Sequence, residues 1–563
     1  MSLAAAVLAA VLVAVRAALL VLGGGWPAPA LAQPEAADRP GNVVFVHPDG
    51  LGLAGYAAAR TYWVGPDGAL HWDRLPQIAV YRGHMADQLT GTSNGGATTH
   101  AFGYRVTGRH SFGRDGGARS QPGRAIRARS GFDGSILREA AAAGYPTGLV
   151  NDGHIGEPGT AAFAAETDGR DDLNHITLQF IAGRDLAKPA SRSRDAAPTV
   201  ILGGGERNFL PQGTRRCTAA DAGSHVQDGL RSYPLDCLVH TLDWGRPEGS
   251  GGPFGIGREA RGERTDGRNL LREAADLGYV VVRTRAEFEA LAARVERDTS
   301  FHPRVLGLFA ANHTFNDRSE EELIAAGFRD KSIAQDARGS NLVLYGTPRA
   351  SDPGFNPPRA GEMTRLALLL LNRASVQRGL PYLLVVEVES TDNFANRNNA
   401  IGTLVAARHA DEAIGVVREV LAGADRQPWR TPLATSVIVA ADSEAGGMNL
   451  AALPASAGLR SRHDEFAHRV DGVYGQGSAP FAAAADQTGR VLHFGIVWAG
   501  PPDFAGGIVA RADSNRAEAA AGRHGCTLAQ MSERFDNADV YRVMYAQLFG
   551  RCLPRASGPA PGR

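Results

Sequence analysis

Short runs of apolar, often β-branched residues recur along this chain, separated by longer stretches whose apolar residues fall at helical spacing. Asn42–His47, Thr147–Val150, Thr199–Leu202, Val305–Ala310, Tyr382–Val388 and Ser436–Ala440 read as strands, and Leu137–Ala143, Met363–Asn372 and Ala406–Leu421 as helices. Strands that alternate with helices form parallel βαβ units, with the helices laid against the sheet. The expected fold class is therefore α/β: a doubly wound, mostly parallel central sheet with helices on both faces. At 563 residues the chain has room for three or four domains, or for one large α/β unit carrying insertions. Residues 205–270 are rich in Gly, Arg and Asp, break the rhythm, and read as an insertion or covering loop; the tail 553–563 reads as disordered.

In such a sheet ligands bind beyond the carboxyl ends of the strands. Asp49 follows the first strand, Glu387 lies in the strand Tyr382–Val388 with Asp392 just beyond it, and Asp442 follows Ser436–Ala440. Any one of these is open to a plainer reading as a loop residue or helix N-cap. Gathered at one sheet edge they would repel one another unless a cation lay among them, and oxygen ligands suit a hard divalent ion. Thr92-Ser93-Asn94-Gly95-Gly96-Ala97 places a hydroxyl before small, helix-forming residues. A serine at a helix N-terminus meets backbone N–H groups that favour a phosphate; Ser93 as a simple N-cap is the alternative.

Composition removes several function classes. Apolar residues make up 44% and charged residues 21%, which excludes wholesale disorder and a multi-spanning membrane protein. Lys+Arg and Asp+Glu are both 59, so nothing marks a nucleic-acid binder. Residues 2–22 are almost wholly apolar and are followed by Ala30-Leu31-Ala32, a small-x-small cleavage pattern, so 1–32 reads as a signal peptide. A retained anchor is the alternative, opposed by Arg16, whose burial at mid-membrane costs about 2.5–3.5 kcal/mol. After cleavage no stable membrane span is expected, and the mature chain is expected to be exported, periplasmic or secreted. Cys217, Cys237, Cys526 and Cys552 fall into two local pairs, so an exported chain is expected to form two disulfides. Pairing 217–237 with 526–552 is one of three connectivities.

Further motifs resemble one family. His47-Pro48-Asp49-Gly50-Leu51-Gly52 is similar to the first metal-binding loop of the alkaline phosphatases, and Thr92-Ser93-Asn94 through Gly103 to their nucleophile segment. Glu157-Pro158-Gly159-Thr160-Ala161-Ala162-Phe163 resembles D-A-T-P-A-A-F. Ile201 to Gly205 followed by Phe209-Leu210-Pro211 resembles the family's G-G-G…F-x-P. Leu306 to Ala310 with His313, and Glu362-Met363-Thr364, resemble two mid-chain signatures. Val386 to Asp392 resembles V-E-G-x-x-I-D, and Val437 to Asp442 resembles V-I-V-T-A-D. The matches run in order from about residue 41 to 550. The resemblance implies one alkaline-phosphatase-like catalytic domain over 41–552 that hydrolyses small phosphate monoesters. It implies Ser93 as the nucleophile that becomes phosphorylated, Arg170 as the phosphate clamp, Asp49 as a carboxylate bridging metals, and Glu387 as a magnesium-site ligand. Asp392 and Asp442 fall on ligands of the two catalytic metals. Thr160 falls near the family's magnesium-binding threonine, with Glu157 a competing ligand.

The departures concern nitrogen. The family's three zinc-binding histidines are replaced by Asn396, Ser443 and, in the nearest match, Gln487. What remains is an oxygen-rich set that favours Mg²⁺, Ca²⁺ or Mn²⁺ over Zn²⁺. His47, His100 and His154 lie in or near the matched segments and are candidates to restore nitrogen; a buried or surface histidine with no metal is the plainer reading of each. A phosphodiesterase on the same fold and a degenerate phosphate-binding homologue stay open beside the monoesterase. The physiological ester and the oligomeric state, a homodimer included, are not set by these motifs.

Overall fold

Each apolar run read from the sequence is a strand, because a run with no polar residue to turn toward water is best accommodated in a sheet covered on both sides. The computed structural model describes residues 40–562, apart from 109, 118–120, 184–196, 230, 244–257, 330–340, 347–355, 454–469, 472–479 and 516–525. Ten strands make the central sheet: β1 (Asn42–Pro48), β2 (Gln77–Arg82), β3 (Thr147–His154), β4 (Val200–Gly204), β5 (Tyr279–Val282), β6 (Arg304–Leu308), β7 (Leu383–Val388), β8 (Thr435–Val439), β9 (Val509–Ser514) and β10 (Phe535–Asp536). Their order is β5-β6-β4-β3-β7-β1-β8-β9-β2-β10. β9 is antiparallel to both neighbours, and every other pairing is parallel. The mostly parallel doubly wound sheet is as expected; β2, β5, β9 and β10 escaped the sequence reading. β2 alternates exposed and buried residues at the sheet's periphery, and β5 has four residues, too few for a pattern.

The two-residue period of the strands sorts their side chains into two cores. Val44 and Val46 of β1, Leu384 and Val386 of β7, and Val437 and Val439 of β8 face one way. They pack under α1 (Leu53–Val64), α4 (Ala360–Arg378) and α6 (Ala400–Ala422). Val43, Phe45, Leu383, Val385 and Ile438 face the other way, under α2 (Ser93–Phe102), α3 (Pro158–Ala164) and α7 (Asn537–Phe549). Burying each such aliphatic side chain contributes about 1.5–3 kcal/mol. α5 (Ser390–Asn396) follows β7 with one residue between them.

The tail differs from expectation. It is ordered through residue 562: Leu553 and Ala560 are buried, and the Arg127 N–H donates to the Pro561 carbonyl at 3.4 Å. Its prolines and glycines suggested disorder, but two apolar anchors and the Cys526–Cys552 disulfide hold it. The segment 205–270 contains a 3₁₀ turn, Glu206–Phe209, and the hairpin His225–Asp228/Arg231–Pro234, and is crossed by the Cys217–Cys237 disulfide. Residues 1–32, read as a signal peptide, lie outside the described residues; among the described residues no helix is long and apolar enough to cross a membrane. Both local disulfides form. Thiol titration of protein denatured without reductant should therefore find essentially no free thiol. Removing the tail clamp with Cys526→Ser and Cys552→Ser together should lower unfolding free energy by about 2–4 kcal/mol, measured by urea denaturation.

Candidate active site

The three adjacent strands β7, β1 and β8 end at one edge and bring their terminal residues together. Register sets His47 of β1 beside Glu387 of β7, and Asn151 of β3 on the other side of Glu387. By the two-residue period His47 and Glu387 share the face of Phe45 and Val385, under α2 and α3. The turn after β1 needs Gly50: its φ is +64°, and a Cβ there would stand 2.6 Å from the Ala445 Cβ and 2.7 Å from an Asp392 carboxylate oxygen. Gly96 lets α2 lie against Asp442, and a Cβ at Gly159 would run into the Glu387 carboxylate.

Two kinds of carboxylate occupy this edge. Glu387 is well supplied with donors, most of them on one oxygen. It accepts hydrogen bonds from the Gly159 N–H (3.0 Å), the Thr160 N–H (2.6 Å), the Thr160 hydroxyl (2.9 Å) and the Asn151 amide (2.6 Å). Asp49 is fully buried and neither of its oxygens has a partner. Burial pushes its carboxyl well above the usual range, and Asp442 and Glu387 push the same way. Asp442 Oδ2 and Glu389 Oε2 are likewise buried without partners. So is His47 Nε2, 3.6 Å from Asp49 Oδ1 and 3.9 Å from Asp442 Oδ1. His47 Nδ1 lies 2.9 Å from the Ala440 carbonyl, which only accepts; Nδ1 therefore donates to it and the ring directs Nε2 at the two aspartates. Several lone pairs aimed at one another in a dry site repel, and a divalent cation satisfies them together. The residues thus fit bound metal. Among the described residues the candidate ligand atoms form two groups, His47–Asp49–Asp442 and Asp49–Glu387–Glu389, each with atoms within 4.8 Å of one another. Asp49 belongs to both.

Sharing Glu389 with this cluster is a cavity of about 700 Å³, lined also by Ser93, Glu157, Arg170, Asp392, Asn396 and Asp503. Ser93 opens α2 but does not cap it; Thr92 does, its hydroxyl accepting from the Gly95 N–H at 3.2 Å. Arg170 Nη2 donates to Glu157 at 3.0 Å. Burial opposes its charge, yet Glu157 and Glu389 hold Arg170 firmly protonated. The segment read as a covering loop supplies a wall through Arg207, Asp243 and Glu263. A larger cavity, about 1070 Å³ and walled by Arg105, Arg542 and Arg555, contains none of these residues.

The expected residues meet different fates. Asp49, Glu387, Asp392, Asp442, Thr160, Ser93 and Arg170 come together. Glu157 pairs with Arg170 and, at 3.8 Å, with His313. Asn396 turns its NH₂ to Asp392 (2.9 Å) and Asp503 (3.4 Å). Gln487 lies exposed in a surface turn, its N–H on Asp67, and is not part of the site. His154 uses both ring nitrogens, on Asn208 and the Gly156 N–H, and burial takes it down to about 4. His100 stacks edge-on behind His47 with centroids 5.4 Å apart, and burial followed by His47 takes it down to about 3. Sequence reasoning missed Glu389 and Asp503. Glu389 had a signal, since it directly follows the end of a central strand, where ligands of such a sheet bind. Asp503 had none locally; it arrives through the two-residue pairing of Asp503–Phe504 with Glu444–Ala445 beside Asp442.

A family model described as alkaline phosphatase matches residues 41–233 and 251–459. Streptomycin-6-phosphate phosphatase of Streptomyces griseus is 28% identical over 440 residues, 76% of this chain and 78% of that protein. The repressible alkaline phosphatase of Saccharomyces cerevisiae is 24% identical over 431 residues, 74% of this chain and 56% of that one. Among solved structures, alkaline phosphatase from Thermus thermophilus gives a TM-score of 0.54 at 18% identity, covering 92% of this chain and 93% of that one. The enzyme from the Antarctic bacterium TAB5 gives 0.52 at 16%, covering 91% and 99%. At these identities the structures establish the shared fold.

The carboxyl cluster makes a pH prediction. Asp49, Glu389 and Asp392 are raised chiefly by burial, and Asp503 is pushed up to about 6 by burial and Asp442. A raised carboxyl holds its proton longer in the native state than in the unfolded one. Its stabilisation is full below about pH 4 and is lost as pH rises through its native value. Chelator-treated protein should therefore melt lower at pH 8 than at pH 5.5, and excess Mg²⁺ or Mn²⁺ should remove the difference. Calorimetry at both pH values with and without the ion checks it; a difference unmoved by metal would refute the cluster as a cation site.

Proposed function

The chain belongs to the alkaline phosphatase family and is a phosphoric monoester hydrolase of that type, and from that premise we propose an exported, metal-dependent enzyme, a single catalytic domain over residues 41–552, that acts through a phosphoserine on Ser93. The observation that carries this reading is a shared cavity: Ser93 and Arg170 line it together with Asp392 and with Glu389, which itself belongs to the buried ligand group of Asp49 and Glu387. Small phosphate esters are the substrates proposed. The two disulfides support export, to the periplasm or outside the cell.

Divalent cations bound by Asp49, Asp392, Asp442 and their neighbours would supply Lewis acidity and neutralise phosphoryl charge. The oxygen-rich donor set favours Mg²⁺, Ca²⁺ or Mn²⁺ over Zn²⁺ for the centre as a whole. The chain's own groups do the rest. Ser93 Oγ attacks phosphorus; its bond to phosphorus forms as the bond to the alcohol oxygen breaks, and the alcohol leaves with a proton. Water then attacks the phosphoserine, releasing phosphate and restoring the hydroxyl. Arg170 offers two N–H groups to phosphoryl oxygens, and Glu157 aims it. Thr160 and Asn151 fix Glu387, and Thr92, by capping α2, leaves Ser93 to the reaction.

Hydrolysis of p-nitrophenyl phosphate should cease with EDTA and return with Mg²⁺, Ca²⁺ or Mn²⁺ more than with Zn²⁺. Ser93→Ala should remove nearly all turnover without loss of fold, and Arg170→Ala should lower kcat by about 10²–10³-fold. Labelled phosphate trapped on a residue other than Ser93 would overturn the assignment.

A further inference from the structure

The geometry points to His47, inside strand β1, as the nitrogen ligand of the cation bound between Asp49 and Asp442. The inference rests on the metal-dependent reading above and adds a ligand that the sequence motifs do not assign. The position after Asp442, Ser443, brings only a hydroxyl, 3.5 Å from Asp442 Oδ1. Three observations converge on His47. Its Nε2 is completely buried and has no hydrogen-bond partner. The Ala440 carbonyl at 2.9 Å accepts from Nδ1 and so orients the ring with Nε2 toward the aspartates, as second-shell acceptors do for metal-binding imidazoles. And Nε2 faces oxygens of both Asp49 and Asp442, whose remaining oxygens are also unpartnered. Bare oxygens of two buried carboxylates repel each other in a dry site, and a cation held by them and by Nε2 makes every one of those contacts attractive.

The other buried histidines do not compete. His154 has both nitrogens in hydrogen bonds. His100 has both nitrogens buried and unpartnered, but it packs edge-on against Phe45 and His47 and belongs to neither group of candidate ligand atoms. The centre is therefore asymmetric. The ion between Asp49 and Asp442 has one imidazole, while the side toward Asp392 and Asp503 offers oxygen from carboxylates and, if its amide turns over, from Asn396.

The test is pulsed electron paramagnetic resonance of the full chain loaded with Mn²⁺, which reads ¹⁴N coupling from a directly bound imidazole. Wild type should show coupling from one imidazole. His47→Asn keeps a donor for the Ala440 carbonyl but removes the lone pair; it should lose the coupling and bind Mn²⁺ at least about 10-fold more weakly, the lower range seen even for outer-shell partners. His100→Phe should keep the coupling. Melting of the metal-free variants confirms that they fold. Should His47→Asn not fold, His47→Gln places an amide oxygen near the Nε2 position and should bind Mn²⁺ without the imidazole signal. Coupling that persists in folded His47→Asn or His47→Gln overturns the inference. Tight Mn²⁺ binding and turnover in wild type with no imidazole coupling overturns it while leaving the functional reading standing. Absence of both Mn²⁺ binding and phosphatase turnover overturns both.

Discussion

Four carboxylates, Asp49, Glu387, Glu389 and Asp442, are buried at the edge of three adjacent parallel strands, and the local structure is arranged around their mutual repulsion. Two solutions operate side by side. Glu387 is neutralised by donors: the start of α3, Thr160 and Asn151 together give it four hydrogen bonds. Asp49 receives none, and Asp442 keeps one oxygen bare. An unsatisfied buried carboxylate costs several kcal/mol unless a cation or proton compensates it. Bare buried oxygens of this kind fit a bound cation.

The surrounding elements are shaped by the need for backbone to come very close to these groups. Gly50, Gly96 and Gly159 stand where any Cβ would collide with Asp392, Asp442 or Glu387. They let a turn and two helices close over the cluster, so α2 presents Ser93 to the cavity while α3 delivers its N–H groups to Glu387. Arg170 is held over the same cavity by Glu157, a residue read from the sequence as a possible metal ligand and found here as the partner of the guanidinium.

Relative to the family pattern, potential donor atoms stand at different positions. Imidazole is absent at Asn396 and Ser443, yet one imidazole stands within β1 at His47, and a carboxylate, Asp503, enters from a separate pairing. Metal sites tolerate such exchange because coordination depends on where donor atoms lie in space. A strand residue pointing into the site and a loop residue reaching toward it supply equivalent lone pairs.

The fold class, the strands of the sheet's centre and most of the site were legible in the sequence. Long apolar runs form buried strands wherever they fall, and a doubly wound sheet puts its ligands at the carboxyl ends, so Asp49, Asp392 and Asp442 announced themselves by position. The local cysteine pairs likewise announced the disulfides. What the sequence left open needed contacts between residues distant in the chain. The short strands β5 and β10, the peripheral β2 and the antiparallel β9 have no periodicity strong enough to read. The order of the C-terminal tail depends on Leu553 and Ala560 meeting a core built elsewhere. Gln487 was matched through a neighbouring Thr-Gly pair, whereas Asp503 holds a place in the site because a two-residue β pairing carries it there. Which of His47, His100 and His154 faces the carboxylates was decided by neighbours: the Ala440 carbonyl orients His47 toward Asp49 and Asp442, Asn208 engages His154, and His100, its nitrogens unpartnered, packs on Phe45; only the tertiary structure brings these groups within hydrogen-bonding or packing distance.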